Sequence, residues 1–100
     1  MVVMVLERVS ASLRGELSRW MIEPHAGVFL GDLSAMVRDR LWDRCVKKAG
    51  EGAVIQAWSS NNEQGFLVRS AGKTGRELVD YEGLLLVRIP KKVEAEEKAE

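Results

Sequence analysis

One hundred residues, 46% apolar and 30% charged, describe one ordinary globular unit and argue against two domains. Fifteen basic against fifteen acidic side chains leave no net charge, which argues against a uniformly basic nucleic-acid binder but leaves room for a local basic stripe. A lone cysteine, Cys45, excludes an intramolecular disulfide, and with a lone histidine, His25, the chain is too poor in soft ligands for a zinc or thiol–imidazole site, so a reducing cytoplasm is the expected compartment.

The chain opens on Val2-Val3-Met4-Val5-Leu6, an apolar run rich in β-branched residues that reads as a strand buried on both faces, with Glu7 at its carboxyl end. The run is too short to span a membrane and no basic segment precedes it as in a signal peptide, so neither insertion nor export is expected. Ser10 or Ser12 can cap a helix carrying Leu13, Leu17, Trp20 and Met21 on its core side and ending near Glu23, ahead of Pro24. Gly15 weakens that helix by about 1 kcal/mol relative to alanine, which suggests that something approaches its backbone closely. A short strand, Val28 to Leu30, precedes the longest helix, opened by Asp32 or Ser34 and running to about Ala49. There Val37, Leu41, Cys45, Trp42 and Val46 form one broad apolar face, and Gly50 supplies the stop.

The period then changes to two. Ala53 to Trp58 reads as a strand, Asn61 and Asn62 as a turn, and Phe66 to Arg69 as the hairpin partner. Ala71 to Arg76 reads as an exposed basic loop with two glycines, and Leu84 to Ile89 as the last apolar strand, ended by Pro90. The domain is therefore expected over residues 1–90. Residues 91–100, with three lysines and four glutamates, form a charged tail without the apolar surface to order itself. The order strand, helix, strand, helix, then strands predicts an α+β, ferredoxin-like sandwich, two helices on a mostly antiparallel sheet. A chain this short buries only about 60–65% of its unfolded surface, so self-association is expected to supplement the core.

Three features can carry chemistry. Glu7, a carboxylate ending a buried strand, suits a hard cation such as magnesium, but a metal site needs a second acid, which a two-fold partner can bring as a second Glu7. Its plain alternative is a solvated strand-end glutamate paired with Arg8. Arg38, Arg40, Arg44, Lys47 and Lys48 against Asp39 and Asp43 leave the long helix locally basic, either as a solubilising face with intrahelical pairs or as an anion-binding stripe. Arg14, next to Gly15, and Lys73 with Arg76 in the glycine-containing loop are better phosphate ligands, because backbone N–H groups accompany the side chains. The apolar final strand and charged tail can end the core or dock on a neighbour by edge addition. No Walker loop, dinucleotide fingerprint or nucleophile elbow occurs, which argues against nucleotide-driven and acyl-transfer chemistry.

A longer pattern joins these features. Leu13-Arg14-Gly15, Trp20, Ala26-Gly27-Val28-Phe29-Leu30-Gly31-Asp32-Leu33-Ser34-Ala35, Arg38 and Trp42 are followed by Ala57-Trp58-Ser59-Ser60-Asn61, Glu63, Gly65-Phe66 and Asp80-Tyr81-Glu82-Gly83-Leu84. Over roughly residues 2–90 this closely resembles the small CRISPR-associated adaptation protein Cas two of the type I-E subtype. The resemblance implies a ferredoxin-like homodimer between two dimers of the integrase Cas one, holding a prespacer DNA duplex for insertion into the CRISPR array. It assigns phosphate contacts to Arg14 and Arg76, with Lys73 and Arg38 as lesser candidates. Gly75 and Ser12 stand where relatives can carry further bases, so duplex affinity is expected to be more dispersed here. Glu7 occupies the position of a metal-binding aspartate in other members. The expected role is a scaffold that requires no cofactor. The alternative is a magnesium-dependent endoribonuclease or deoxyribonuclease using Glu7.

Overall fold

The computed structural model of the chain describes residues 1–72 and the strands Glu77–Tyr81 and Leu84–Arg88. In chain order the elements are β1 (Val2–Glu7), α1 (Ala11–Leu17), β2 (Ile22–His25), β3 (Val28–Gly31), α2 (Ala35–Lys48), β4 (Ala53–Ser59), β5 (Phe66–Gly72), β6 (Glu77–Tyr81) and β7 (Leu84–Arg88). The first five strands form one sheet in the order β2-β3-β1-β4-β5, and every pairing in it is antiparallel. With both helices on one face, this is the α+β, ferredoxin-like arrangement expected of the chain. β6 and β7 pair with each other as a separate two-stranded sheet.

The opening apolar run is buried on one face and half-covered on the other. Val2, Met4 and Leu6 lie in the core, while Val3 and Val5 alternate to the opposite side, because both helices occupy a single face of an antiparallel sheet. The core combines those residues with Phe29 and Val54 from the sheet, Leu13 and Leu17 from α1, Met21, and Leu41 and Cys45 from α2. Register explains the assembly: Met4 stands opposite Phe29 on one side and Gln56 on the other, so side chains from three strands meet beneath the helices.

The first helix is shorter than its apolar spacing suggests. Ser10 is its cap, accepting a hydrogen bond from Leu13 N at 3.1 Å, and α1 ends after seven residues at Leu17. The chain then turns, with Trp20 N and Met21 N both donating to Leu17 O at 3.0 Å. Met21 reaches the core, whereas Trp20 is 55% exposed and leaves the expected apolar row. Pro24 follows the helix as anticipated but sits inside β2, at the sheet edge, where the register shifts between Ile22 and His25 and a missing N–H is tolerated.

α2 matches its reading more closely. Ser34, rather than Asp32, is the cap, accepting from Val37 N at 3.3 Å, and Gly50 takes the left-handed φ of +57° just beyond the helix end. Leu41 and Cys45 are buried, Val37 and Trp42 pack at the core margin, and Val46 points away. In the following hairpin, Asn62 Oδ1 accepts from Gly65 N at 2.8 Å and Asn62 Nδ2 donates to Phe66 O at 2.9 Å. β5 runs further than Arg69, to Gly72, so Ala71 and Gly72 belong to the sheet rather than to a loop. The last apolar strand is found at Leu84–Arg88. Lys73, Arg76, Ile89, Pro90 and the charged tail lie outside the described residues.

Candidate nucleic-acid interface

Arg14 stands on α1 between Leu13, which is buried, and Gly15; apart from its chain neighbours and its own helix backbone, no atom of the described residues lies within 4 Å of where a Gly15 Cβ would be. Its side chain is 40% exposed, and its guanidinium donates from Nε and Nη2 to one oxygen, Glu23 Oε2, at 3.0 and 2.7 Å. The same oxygen accepts from Gly27 N at 2.8 Å. That backbone bond, together with Arg14, holds the Glu23 carboxyl below the usual carboxylate range. Gly27 is required where it stands: its φ is +81°, and a Cβ there would lie 2.5 Å from Leu6 O. Ala11, Arg14, Gly15, Ser18 and Glu23 line one open recess.

A second cluster joins α2 to the last strands of the sheet. Arg38 lies over the Trp58 ring, 4.2 Å from its centroid, and its Nε donates to Asp39 Oδ1 at 3.0 Å. Arg69, on β5, lies 4.7 Å from the Trp42 centroid and 4.9 Å from that of Trp58, and donates to Asp39 Oδ1 at 2.9 Å. Arg69 also donates twice to Gln56 Oε1, at 2.9 and 2.6 Å. Gln56, fully buried, in turn donates to the Arg38 carbonyl at 3.0 Å, so both ends of its amide are satisfied. The two arginines lower the pKa of Asp39. Arg38 thus has its guanidinium stacked and paired, with 19% of its side chain exposed.

Arg44 and Lys48 of α2 bond across to α1 rather than along their own helix. Arg44 donates from Nε and Nη2 to the two oxygens of Glu16, both at 2.9 Å, and Lys48 Nζ reaches Glu16 Oε1 at 3.2 Å. These bonds pull the Glu16 pKa from an ordinary 4.5 to about 2. A depressed acid pKa stabilises the fold above the unfolded value and loses that contribution as pH falls through the folded one. Wild type should therefore melt above Glu16→Gln from neutral pH down to about 4.5, and the difference should fade between about 4.5 and 2. Melting curves across that range check it, and a gap that persists at the acid end would contradict it.

Glu7 ends β1 with its side chain 45% exposed, and Arg8 Nη1 lies 3.9 Å from its Oε2. Among the described residues, no three His, Cys, Asp or Glu side chains gather as a metal-binding group. Cys45 is fully buried, which pushes its thiol up to about 11. Lys73 and Arg76 lie outside the described residues, so of the expected phosphate ligands the structure places Arg14 and Arg38, on different helices. Residues that sequence reasoning passed over are Glu23, Gln56 and Arg69. The inward position of Arg69 was available from its alignment opposite Gln56 once the hairpin register was known.

The sequence of residues 1–86 matches the family described as CRISPR-associated protein (Cas_Cas2CT1978). The chain belongs to this CRISPR-associated Cas2 family. The matched span takes in every element from β1 to β6 and most of β7. It includes the Arg14–Glu23 pair and the cluster around Gln56, so both sites sit within the part of the chain that makes it a Cas2 protein. A place in a CRISPR system follows from this membership. No helix among the described residues is long and apolar enough to cross a membrane.

Proposed function

We propose that this Cas2 protein is the dimeric scaffold of type I-E spacer acquisition, a cytoplasmic, non-catalytic bridge that holds the prespacer duplex between integrase dimers for insertion into the CRISPR array. The carrying observation is the half-exposed Arg14 side chain beside the open surface of Gly15, where a phosphate can approach without displacing atoms of the described residues. Arg76 and Lys73 extend the contact along the duplex, and Arg38 adds positive field from its stacked position. Such contacts bind the backbone and read no base sequence.

Dimerisation is supported by two features. Val3, Val5, Val28, Leu30, Ile55 and Ala57 lie on the sheet face opposite the helices and are only half-covered. The β6–β7 ribbon, meanwhile, is a two-stranded sheet of a kind that is marginal without further packing.

The test is duplex binding as a function of salt. Arg14→Ala and Arg76→Ala should each weaken binding to unrelated duplex sequences alike and reduce the slope of log affinity against log salt by about 1. Unchanged slopes in both variants would reject the assignment, and sequence-selective losses would reject backbone readout.

A further inference from the structure

Arg14 is long, half-exposed and carried on a helix of only seven residues, yet it is held in one orientation. What holds it is Glu23, on a different element. Glu23 Oε2 receives three hydrogen bonds at once, from Arg14 Nε at 3.0 Å, Arg14 Nη2 at 2.7 Å and Gly27 N at 2.8 Å. Gly27 is itself fixed, because its carbonyl accepts from Leu6 N at 2.8 Å and its α-carbon has no room for a side chain. A chain of bonds thus runs from the buried β1 strand through the β2–β3 turn to the guanidinium. Both contacts fall on the Nε/Nη2 edge, and Nη1 has no bond to any described residue.

We propose that Glu23 is the positioning residue for phosphate binding: it turns the Arg14 guanidinium so that Nη1 and the outer hydrogen of Nη2 face an incoming phosphate oxygen. This rests on the reading of Arg14 as a phosphate ligand. Two effects of Glu23 oppose each other. Its charge repels the phosphate, but that charge is already matched by Arg14 and is screened at a partly exposed site. Its acceptor oxygen removes most of the rotamer freedom that a loose arginine would surrender on binding, and pre-ordering one such side chain is worth about two- to tenfold in affinity. The second effect is the larger here, because three bonds converge on the oxygen that fixes the geometry.

The experiment measures affinity of the intact chain for a short mixed-sequence DNA duplex, comparing wild type with Glu23→Ala, Glu23→Gln, Arg14→Ala and the double variant Arg14→Ala/Glu23→Ala. Glu23→Ala should bind about two- to tenfold more weakly. Glu23→Gln keeps an oxygen in place and should return affinity to the wild-type level or above it. In the Arg14→Ala background, Glu23→Ala should have no further effect. Equal or tighter binding by Glu23→Ala would overturn the proposal and make Glu23 a competitor of phosphate. Equal losses in the alanine and glutamine variants would also overturn it, as would a loss that persists without Arg14, which would mark a purely structural role. If Glu23→Ala does not fold, as judged by its melting curve, Glu23→Asp replaces it: the charge stays but the oxygen withdraws by one carbon, so weaker binding supports positioning and unchanged binding overturns it. Arg14→Ala without effect would remove the phosphate reading and this proposal together, whereas a loss in Arg14→Ala with none in Glu23→Ala removes the positioning role alone.

Discussion

A chain stopped after Gly72 should keep its core and lose its self-association. Among the described residues, the buried cluster lies between Val2 and Val54 and the residues packed against it end at Trp58, so the five-stranded sheet and both helices are expected to retain their packing without β6 and β7. The β6–β7 ribbon has two strands, and a two-stranded sheet is marginal in water without further packing. Paired with a second copy, each added strand brings several backbone hydrogen bonds of about 0.5–1.5 kcal/mol each. Sedimentation at micromolar concentration should show the full chain near twice its mass and the truncated chain near its mass, and integrase capture should fail with the truncated form. A folded truncated chain that still sediments as a dimer would place the association on the helix-free sheet face instead.

The second large effect is expected from Phe29→Ala. Phe29 is fully buried, aligned opposite Met4 in the centre of the sheet, and covered by the helices. Truncating such a side chain removes its apolar burial and leaves a cavity that neighbours only partly fill, a loss of about 3–5 kcal/mol. A domain of this size has a total stability of about 5–15 kcal/mol, so the variant should sit close to its unfolding threshold. Urea unfolding monitored by tryptophan fluorescence measures the difference, and a loss below about 1 kcal/mol would show that the core closes around the site.

Much of this architecture is written locally in the chain. The strand at Val2 to Leu6, the capping of α2 by Ser34 and its stop at Gly50, and the Asn62 turn each depend on neighbours a few residues away, and each is found where residue chemistry puts it, although the strand is covered on one face and not on both. What sequence reading missed depends on distant partners. Trp20 and Met21 share an apolar character, but only the turn after Leu17 decides that Met21 goes inward and Trp20 outward. β2 was hidden by Pro24, which reads as a breaker until its place on the sheet edge is known. β6 was hidden because Glu77-Leu78-Val79-Asp80-Tyr81 has too few alternating positions to stand out without its partner β7.

The candidate site divides in the same way. Arg14 beside Gly15 could be picked out from the sequence alone, but its restraint by Glu23 comes from a hairpin turn and a close backbone approach at Gly27 that no spacing rule encodes. Gln56 resembles any polar residue in an alternating strand, and only burial with both amide ends bonded gives it a structural role.

The proline on β2 also limits what the sheet can build. One border of the five-stranded sheet carries Pro24 at an irregular register, so it offers no regular row of donors and acceptors to a neighbouring chain. The opposite border, β5, is regular from Phe66 to Gly72. Strand addition to the five-stranded sheet is therefore directional: a neighbouring strand can extend it beyond β5 and not beyond β2, so a sheet shared between chains grows from the β5 border alone.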